Sequence, residues 1–195
     1  IGFAVKAGFV PLHTWLPHAH PAAPSHVSGV MSGVMIKMGI YGIFRVLLDV
    51  QSDFLLLGLI VIIISIVTGV GGIIHATFQK DLKKILAYSS IENIGIIGIG
   101  IGIALLGRYL ESDVLTALAL TGSLLHVANH SLYKALLFYT AGNVYYATHT
   151  RDLNKLGGIV QFMPVSGGFF LIGVLSICAI PPFNGFISEF LLYKS

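Results

Sequence analysis

From Phe54 to Thr77 the chain carries no Asp, Glu, Lys or Arg. A bilayer core needs about 20 consecutive apolar residues to be crossed by one helix. That run fits a spanning helix, and in lipid only helices and closed barrels satisfy the backbone. It has further apolar stretches beside it at 27–48 and 85–106. Residues 114–147 show a helical apolar pattern that is long for one span, which fits one tilted helix with overhang or a broken one. From Leu156 to Ser188 there is again no charge, but Pro181-Pro182 interrupts the run. A first segment, from Lys6 to Trp15, is punctuated by Pro11 and, just beyond, Pro17. Proline removes a helical hydrogen bond and clashes with the preceding turn, so both segments read as discontinuous helices.

Composition supports this reading. Hydrophobic residues make up 55% and charged residues 10%, against roughly 25% charged in a soluble domain. Mean hydropathy is +0.89. This composition argues against a soluble enzyme and excludes a disordered chain and a disulfide scaffold. The net charge of +3 argues for no nucleic-acid partner, and Cys178 is the only cysteine. The expected fold class is all-α, a polytopic transmembrane bundle with proline-broken helices. Residues 1–195 are expected to form part of a single transmembrane domain of about five to six spans. Ile1 opens inside an apolar segment and Ser195 closely follows another, so both ends are expected to be cuts in a longer polytopic protein.

Loop charges orient the bundle. Lys80, Lys83 and Lys84 lie in the loop at 79–84, and Arg151 and Lys155 in the loop at 148–158. Asp49, Asp53, Glu111 and Asp113 lie at the opposite end with Arg45 and Arg108. The positive-inside rule makes the Lys-rich side cytoplasmic, and the His-rich segment 13–26 falls there too. Broken helices in corresponding positions point to an ion path in transporters built from repeats. Gly8-Phe9 and Gly185-Phe186 sit similarly near their breaks, which suggests a duplication, although the rest does not align.

Lys6, Lys37, Glu92, Lys134 and Glu189 stand within or against apolar segments. An intramembrane charge costs about 2.5–3.5 kcal/mol on an insertion scale, so five unmatched would cost roughly 12–17 kcal/mol. They are therefore expected to face the interior, pair, meet water or reach an interface. His126, His130 and Lys134 are spaced i, i+4, i+8, which puts them on one helical face beside Asn129 and Tyr133. Histidine titrates near neutral pH, so this row can hand protons along the helix. His75 is placed to extend it.

Plainer readings compete. Lys37 also fits a side chain snorkelling to an interface, and Lys6 an interfacial lysine beside a break. Glu92 fits a helix-end carboxylate, and Glu189 a capping carboxylate after Pro181-Pro182. The row on 126–134 fits interhelical hydrogen-bond glue. His13, His18, His20 and His26 fit solvated loop histidines better than a metal site, because no Cys or carboxylate joins them. His126 to His130 lacks the glutamate of the zinc-protease motif. Gly29-x-x-x-Gly33 and the glycines at 95, 98, 100 and 102 read as close helix packing rather than a phosphate loop.

Four stretches in combination resemble a known family. They are 5–17 (VKAGFVPLHTWLP), 32–42 (SGVMIKMGIYG), 81–90 (DLKKILAYSS) and 130–138 (HSLYKALLF). The resemblance is to the antiporter-like, proton-conducting membrane subunits of respiratory complex I, membrane-bound hydrogenases and multi-subunit cation/proton antiporters. It covers the whole chain, in order. Stretches 19–28 (AHPAAPSHVS), 90–95 (SIENIG) and 181–189 (PPFNGFISE) resemble the hydrogenase-4 component B and formate hydrogenlyase subunit 3 branch.

The resemblance implies roles. Lys6 matches a lysine that pairs with a glutamate upstream, outside this sequence. Lys37 matches a central-axis lysine, Lys134 the central lysine of a second half-channel, and Glu189 the terminal ionisable residue on a second broken helix. His126 and His130 match polar positions flanking Lys134. The implied function is proton translocation coupled to electron transfer in other subunits, through Lys6, Lys37, His126, His130, Lys134 and Glu189, with His75 and Glu92 as further candidates. No catalytic or metal-binding residue is expected in this chain, and no cofactor of its own. Nickel–iron, iron–sulfur or flavin centres belong to partner subunits. The implied partners are other membrane and peripheral subunits, lipid and protons, in the cytoplasmic membrane of a prokaryote. A sodium/proton antiporter subunit without redox partners is the alternative, and a purely scaffolding paralogue a third reading.

Overall fold

The computed structural model describes residues 1–49 and 53–195, and among these it is helical throughout apart from turns and one isolated bridge. In chain order the helices are α1 (Gly2–Ala7), α2 (Leu16–Ala22), α3 (Ser25–Val30), α4 (Ile36–Asp49), α5 (Phe54–Thr77), α6 (Leu82–Tyr109), α7 (Asp113–Thr148), α8 (Pro164–Ile177) and α9 (Asn184–Lys194). A widened helical turn at Met31–Met35 joins α3 to α4. Ser25–Leu47, Phe54–Thr77 and Leu82–Tyr109 are each long and apolar enough to cross a bilayer. The chain is membrane-integral.

Side-chain caps explain several boundaries. Asp53 accepts from the backbone N–H groups of Leu55 and Leu56 at 3.0 and 3.1 Å and starts α5. Asp81 does the same for α6 through Lys83 and Lys84. Each offsets N–H groups that a helix start leaves unpaired. Helix α7 is one unbroken helix of 36 residues, which resolves the long segment 114–147. At about 1.5 Å per residue it is about 54 Å long, more than a bilayer core is thick.

Both expected breaks are present. Helix α1 ends at Gly8, whose φ of 88° is open to glycine at little cost. The indole N–H of Trp15 donates to Val5 O at 2.9 Å, and Thr68 Oγ1 on α5 accepts from Val10 N at 3.1 Å. Backbone groups released by the break are thus paired, as burial requires. The second break lies between α8 and α9 and contains Pro181 and Pro182. Gly185 opens α9 against Ser176 O of α8, where a Cβ would collide with the carbonyl. So Gly8 closes a first half-helix while Gly185 opens a second one. The two positions do different work, and the matching of Gly8-Phe9 with Gly185-Phe186 does not carry into structure.

Glycines set the helix spacing. A Cβ on Gly95 would meet backbone of Gly69 and Ser65, and one on Gly102 would meet Gly58 O. That lets α6 lie against α5 backbone to backbone. Gly29 and Gly33 likewise admit Tyr139 and Ser131 of α7 to α3 and the turn that follows it. Helix α7 touches α6, α8, α9 and α3, and so runs through the middle of the bundle. Helix α5 lies outside, with Leu56, Ile63, Val67 and Val70 exposed.

The Lys-rich loops meet at one end. Arg151 pairs with Asp81 at 3.4 Å and donates to Pro21 O at 2.6 Å, and Lys83 Nζ donates to Ala23 O at 2.7 Å. Leu82 N bonds Arg151 O, and Leu153 N bonds Lys80 O. The loops at 79–84 and 148–158 and the end of α2 therefore share one face. At the other end Arg108 lies over the ring of Phe54, 4.5 Å from its centroid.

Candidate functional site

Polar side chains converge where α7 faces α4, α6 and α9. Lys134 is 0% exposed and Lys37 is 7% exposed. The snorkelling reading of Lys37 does not survive this burial. Lys37 Nζ bonds Ser32 O and meets His130 Nδ1 across the α4–α7 contact. Lys134 Nζ donates to Leu86 O at 2.9 Å and to Ser89 Oγ, both on α6. Ser90 Oγ donates to the same Leu86 O, and its hydroxyl is 2.8 Å from Ser32 Oγ. The two lysines are thus tied to one turn of α6. Lys37 also lies within electrostatic reach of Lys134.

The i, i+4 row behaves as the spacing predicts. His126 and His130 are both fully buried with rings stacked at 6.4 Å. Tyr133 meets His130 edge to face at 5.4 Å. His126 Nε2 is 3.0 Å from Asn93 Oδ1, which also accepts from Tyr133 OH at 2.7 Å. Asn93 Nδ2 donates to Ser89 O at 2.8 Å, so the amide is fixed with its oxygen toward His126. His126 Nδ1 reaches Ser188 Oγ on α9 at 3.0 Å. Asn129 Nδ2 donates to Ser188 Oγ and to Asn184 O, and Asn184 Nδ2 donates back to Asn129 Oδ1. One hydrogen-bonded and stacked cluster therefore runs from α4 through α7 and α6 to the second broken helix.

Other expected residues lie apart from it. Lys6 is exposed on α1. His75 is exposed on α5, bonds Gly71 O at 2.8 Å and stacks on Tyr88, so it does not extend the row. Glu92 is half-buried and the eleventh residue of α6, which removes the helix-end reading. It lies within electrostatic reach of Lys134. Glu189 is half-buried in the second turn of α9, caps nothing, and accepts from Tyr193 OH at 3.4 Å. It lies within electrostatic reach of Glu92.

One histidine corrects the sequence reading. His20 is not a solvated loop residue. It sits on α2, is 0% exposed, and stacks on Phe138 at 4.6 Å. His18 and His26 are exposed as expected, and His13 is half-buried. Sequence reasoning also passed over Asn93, Ser188, Asn184 and Ser32. The available signal was polar residues spaced by four in apolar helices, at 89 and 93 and at 184 and 188.

Among the described residues, no group of His, Cys, Asp and Glu is arranged to hold a metal ion. The cluster's groups are hydrogen-bond donors, acceptors and proton carriers. What it can do chemically is hold and exchange protons out of water.

Known proteins share this chain's pattern. The sequence profile described as "NADH:quinone oxidoreductase/Mrp antiporter, TM" matches residues 1–195. Hydrogenase-4 component B of Escherichia coli K12 is 46% identical over 197 residues, covering all of this chain and 29% of that protein. Formate hydrogenlyase subunit 3 of the same organism is 40% identical over 195 residues, covering all of this chain and 32% of that protein. The chain thus spans about a third of the length of these relatives. A solved structure of the membrane-bound sulfane sulfur reductase, an archaeal respiratory membrane complex, superposes with a TM-score of 0.88 at 27% identity. That match covers 99% of this chain and 38% of the other. With the family profile matched end to end and the fold shared, this chain belongs to the NADH:quinone oxidoreductase/Mrp antiporter transmembrane family.

Proposed function

We propose that this chain forms the proton-translocating part of a membrane subunit in an energy-converting redox complex, of hydrogenase-4/formate hydrogenlyase or NADH-quinone oxidoreductase type. The observation that carries the reading is the buried contact between Lys37 and His130, continued through His126, Asn93 and Ser188 to α9. A lone intramembrane lysine is costly, and an enclosed lysine in contact with a histidine, with a second enclosed lysine near it, suits a proton carrier. Moving one proton through the field exchanges about 2.3 kcal/mol per 100 mV. Electron transfer in partner subunits supplies that energy in this reading, and the redox centres are theirs. The relatives' names support a redox partner.

Lys37, His126, His130 and Lys134 form the core of the path. Glu189 stands at its α9 end, with Glu92 near Lys134. Lys6 serves a neighbouring section of the longer subunit, and its acidic partner lies outside residues 1–195. His75 stands at the Lys-rich surface. Residues 1–195 act as one part of a single conducting domain, and the Lys-rich end is cytoplasmic by its charge.

The test is Lys134→Met in the intact complex. The reading expects assembly to persist and proton transport to fall at least tenfold. Unchanged transport in an assembled complex overturns it. Sequencing the flanking genes identifies the partners. A neighbour with widely separated Cys-x-x-Cys pairs fits a hydrogenase, whereas small membrane proteins alone fit an antiporter without redox subunits.

A further inference from the structure

Pro181 and Pro182 part α9 from α8, so helical continuity does not set where Ser188 stands against His126. Nor does a side-chain cap fix the first turn of α9 from within, because its N-cap residue is Phe183. That turn is held from its two sides. On one, Gly185 lies against Ser176 O of α8. On the other, Asn129 of α7 donates from Nδ2 to Asn184 O at 2.7 Å and to Ser188 Oγ at 3.2 Å. Asn184 Nδ2 returns a hydrogen bond to Asn129 Oδ1 at 3.2 Å. A main-chain carbonyl only accepts, so Asn184 O settles which way the Asn129 amide points. Both hydrogens and the oxygen of that amide are then engaged, in a residue that is 7% exposed.

The second observation concerns the Ser188 hydroxyl, which has one hydrogen and two lone pairs to offer. Among the described residues Ser188 Oγ has three hydrogen-bonding neighbours. Asn129 Nδ2 only donates, Gly185 O at 2.9 Å only accepts, and His126 Nδ1 at 3.0 Å can do either. Asn129 fills one lone pair whatever the ring does. One lone pair and one hydrogen are left for the other two neighbours. Two arrangements keep the ring bonded. The hydrogen goes to a neutral ring, or it goes to Gly185 O while a charged ring donates into the free lone pair. A helical serine otherwise bonds back to its own helix, which would leave a neutral ring without a donor. The bond from Asn129 pins the oxygen within reach of the ring and leaves only the hydrogen to turn.

We propose that Asn129 and Asn184 are positioning residues for proton transfer at His126. The amide pair pins the Ser188 oxygen, and the hydroxyl then turns between two settings, one for each charge state of the ring. This deepens the function proposed above and rests on it. No proton passes through either amide. The Ser188 hydrogen turns from His126 to Gly185 O as the ring takes up a proton, and turns back as the ring gives it up. Helix α9 stays in place throughout.

The test uses the intact complex, with transport and one spectroscopic signal as readouts. Asn129→Leu keeps the side chain's approximate size and removes its donors and its acceptor. Proton transport is expected to fall at least fivefold in the assembled variant. With ¹⁵N-labelled histidine, Nδ1 of neutral His126 is expected to move to the signal of a ring nitrogen that receives no hydrogen bond. Asn184→Ala leaves Asn129 its bond to Ser188 but strips the partner of its oxygen, and is expected to fall between Asn129→Leu and wild type in both readouts. Lys134→Met is measured alongside. Slower transport in Asn129→Leu with an unchanged Nδ1 signal means that the amide only holds the helices together, and overturns the inference. Wild-type transport in Asn129→Leu with loss in Lys134→Met overturns it too and leaves the proposed function standing. Wild-type rates in both overturn the proposed function itself. Should Asn129→Leu fail to assemble, Asn184→Ala decides by the same two readouts. Should that variant fail as well, the wild-type protein decides. Both side-chain amide hydrogens of Asn129 are expected to exchange slowly with water, and fast exchange of either overturns the inference.

Discussion

The imidazole of His126 lies 3.0 Å from the hydroxyl of Ser188, and this contact fastens the unbroken helix α7 to the second broken helix. The tautomer follows from the other ring nitrogen. Asn93 Oδ1 only accepts, so His126 Nε2 carries a hydrogen. Nδ1 of the neutral ring then accepts from Ser188, and Nδ1 of the charged ring donates to it. Ser188 Oγ also lies 2.9 Å from Gly185 O, which takes the hydroxyl proton in the second case. Both protonation states of His126 are hydrogen-bonded without moving a heavy atom. That is what a group cycling between the two states requires.

Ser188→Ala removes this pivot. It strips a partner from His126 and one from Asn129, in a site where Ser188 and His126 are both fully buried. The expected cost is about 1–3 kcal/mol of stability, with slower proton transport. Thermal unfolding of the purified protein reads the first and transport in the intact complex the second. A variant that melts and pumps as wild type would show that the hydroxyl does neither job.

Lys37 and His130 act as a unit, so their substitutions are expected not to add. Residues in direct contact couple by about 0.5–3 kcal/mol in double-mutant cycles. Lys37→Met, His130→Leu and the double variant, compared by unfolding and by transport, close such a cycle. The expected result is that the double variant loses little more than the worse single one. Simple additivity would mean that the contact carries no shared function.

The helices were legible because apolar length and proline are one-dimensional signals. The run 54–77 became α5 residue for residue, and the prolines marked both breaks. The site was legible where its residues share one helix, as His126, His130 and Lys134 do. It was illegible where contact depends on which helices adjoin. Lys37 meets His130 across 93 positions of sequence, and no periodicity reports that. His20 was misread because a histidine-rich, proline-rich stretch looks like a solvated loop. Its burial comes from α2 folding back under Phe138, a tertiary fact. His75 lies near the end of a span as its sequence position indicates, but it is exposed and stacks on Tyr88 of α6, apart from the row.

Two glycines test the packing within one protein. Gly95 lies against the backbone of α5, where a Cβ would fall 2.5 Å from Gly69 N. Nothing lies within 4 Å of a Cβ on Gly71. Gly95→Ala must therefore push α6 from α5, and overpacking of this kind costs about 1–3 kcal/mol. Gly71→Ala is expected to leave stability unchanged or raise it by about 0.5–1 kcal/mol through helix propensity. Melting temperatures of the two variants, measured side by side in the same detergent, check the contrast. Equal shifts would mean that the α5–α6 approach is looser than backbone contact.

Sidedness decides which compartment the Lys-rich end faces. The Lys-rich end carries Lys80, Lys83, Lys84, Arg151 and Lys155, and its loops are held together by the pairing of Arg151 with Asp81. Positive charge near span ends is retained on the cytoplasmic side. Leu110 and Asn154 are exposed at opposite ends of the bundle. In a Cys178→Ser background, Leu110→Cys is expected to react with a membrane-impermeant maleimide on intact cells. Asn154→Cys is expected to react only after the membrane is opened. The reverse pattern would turn the bundle over.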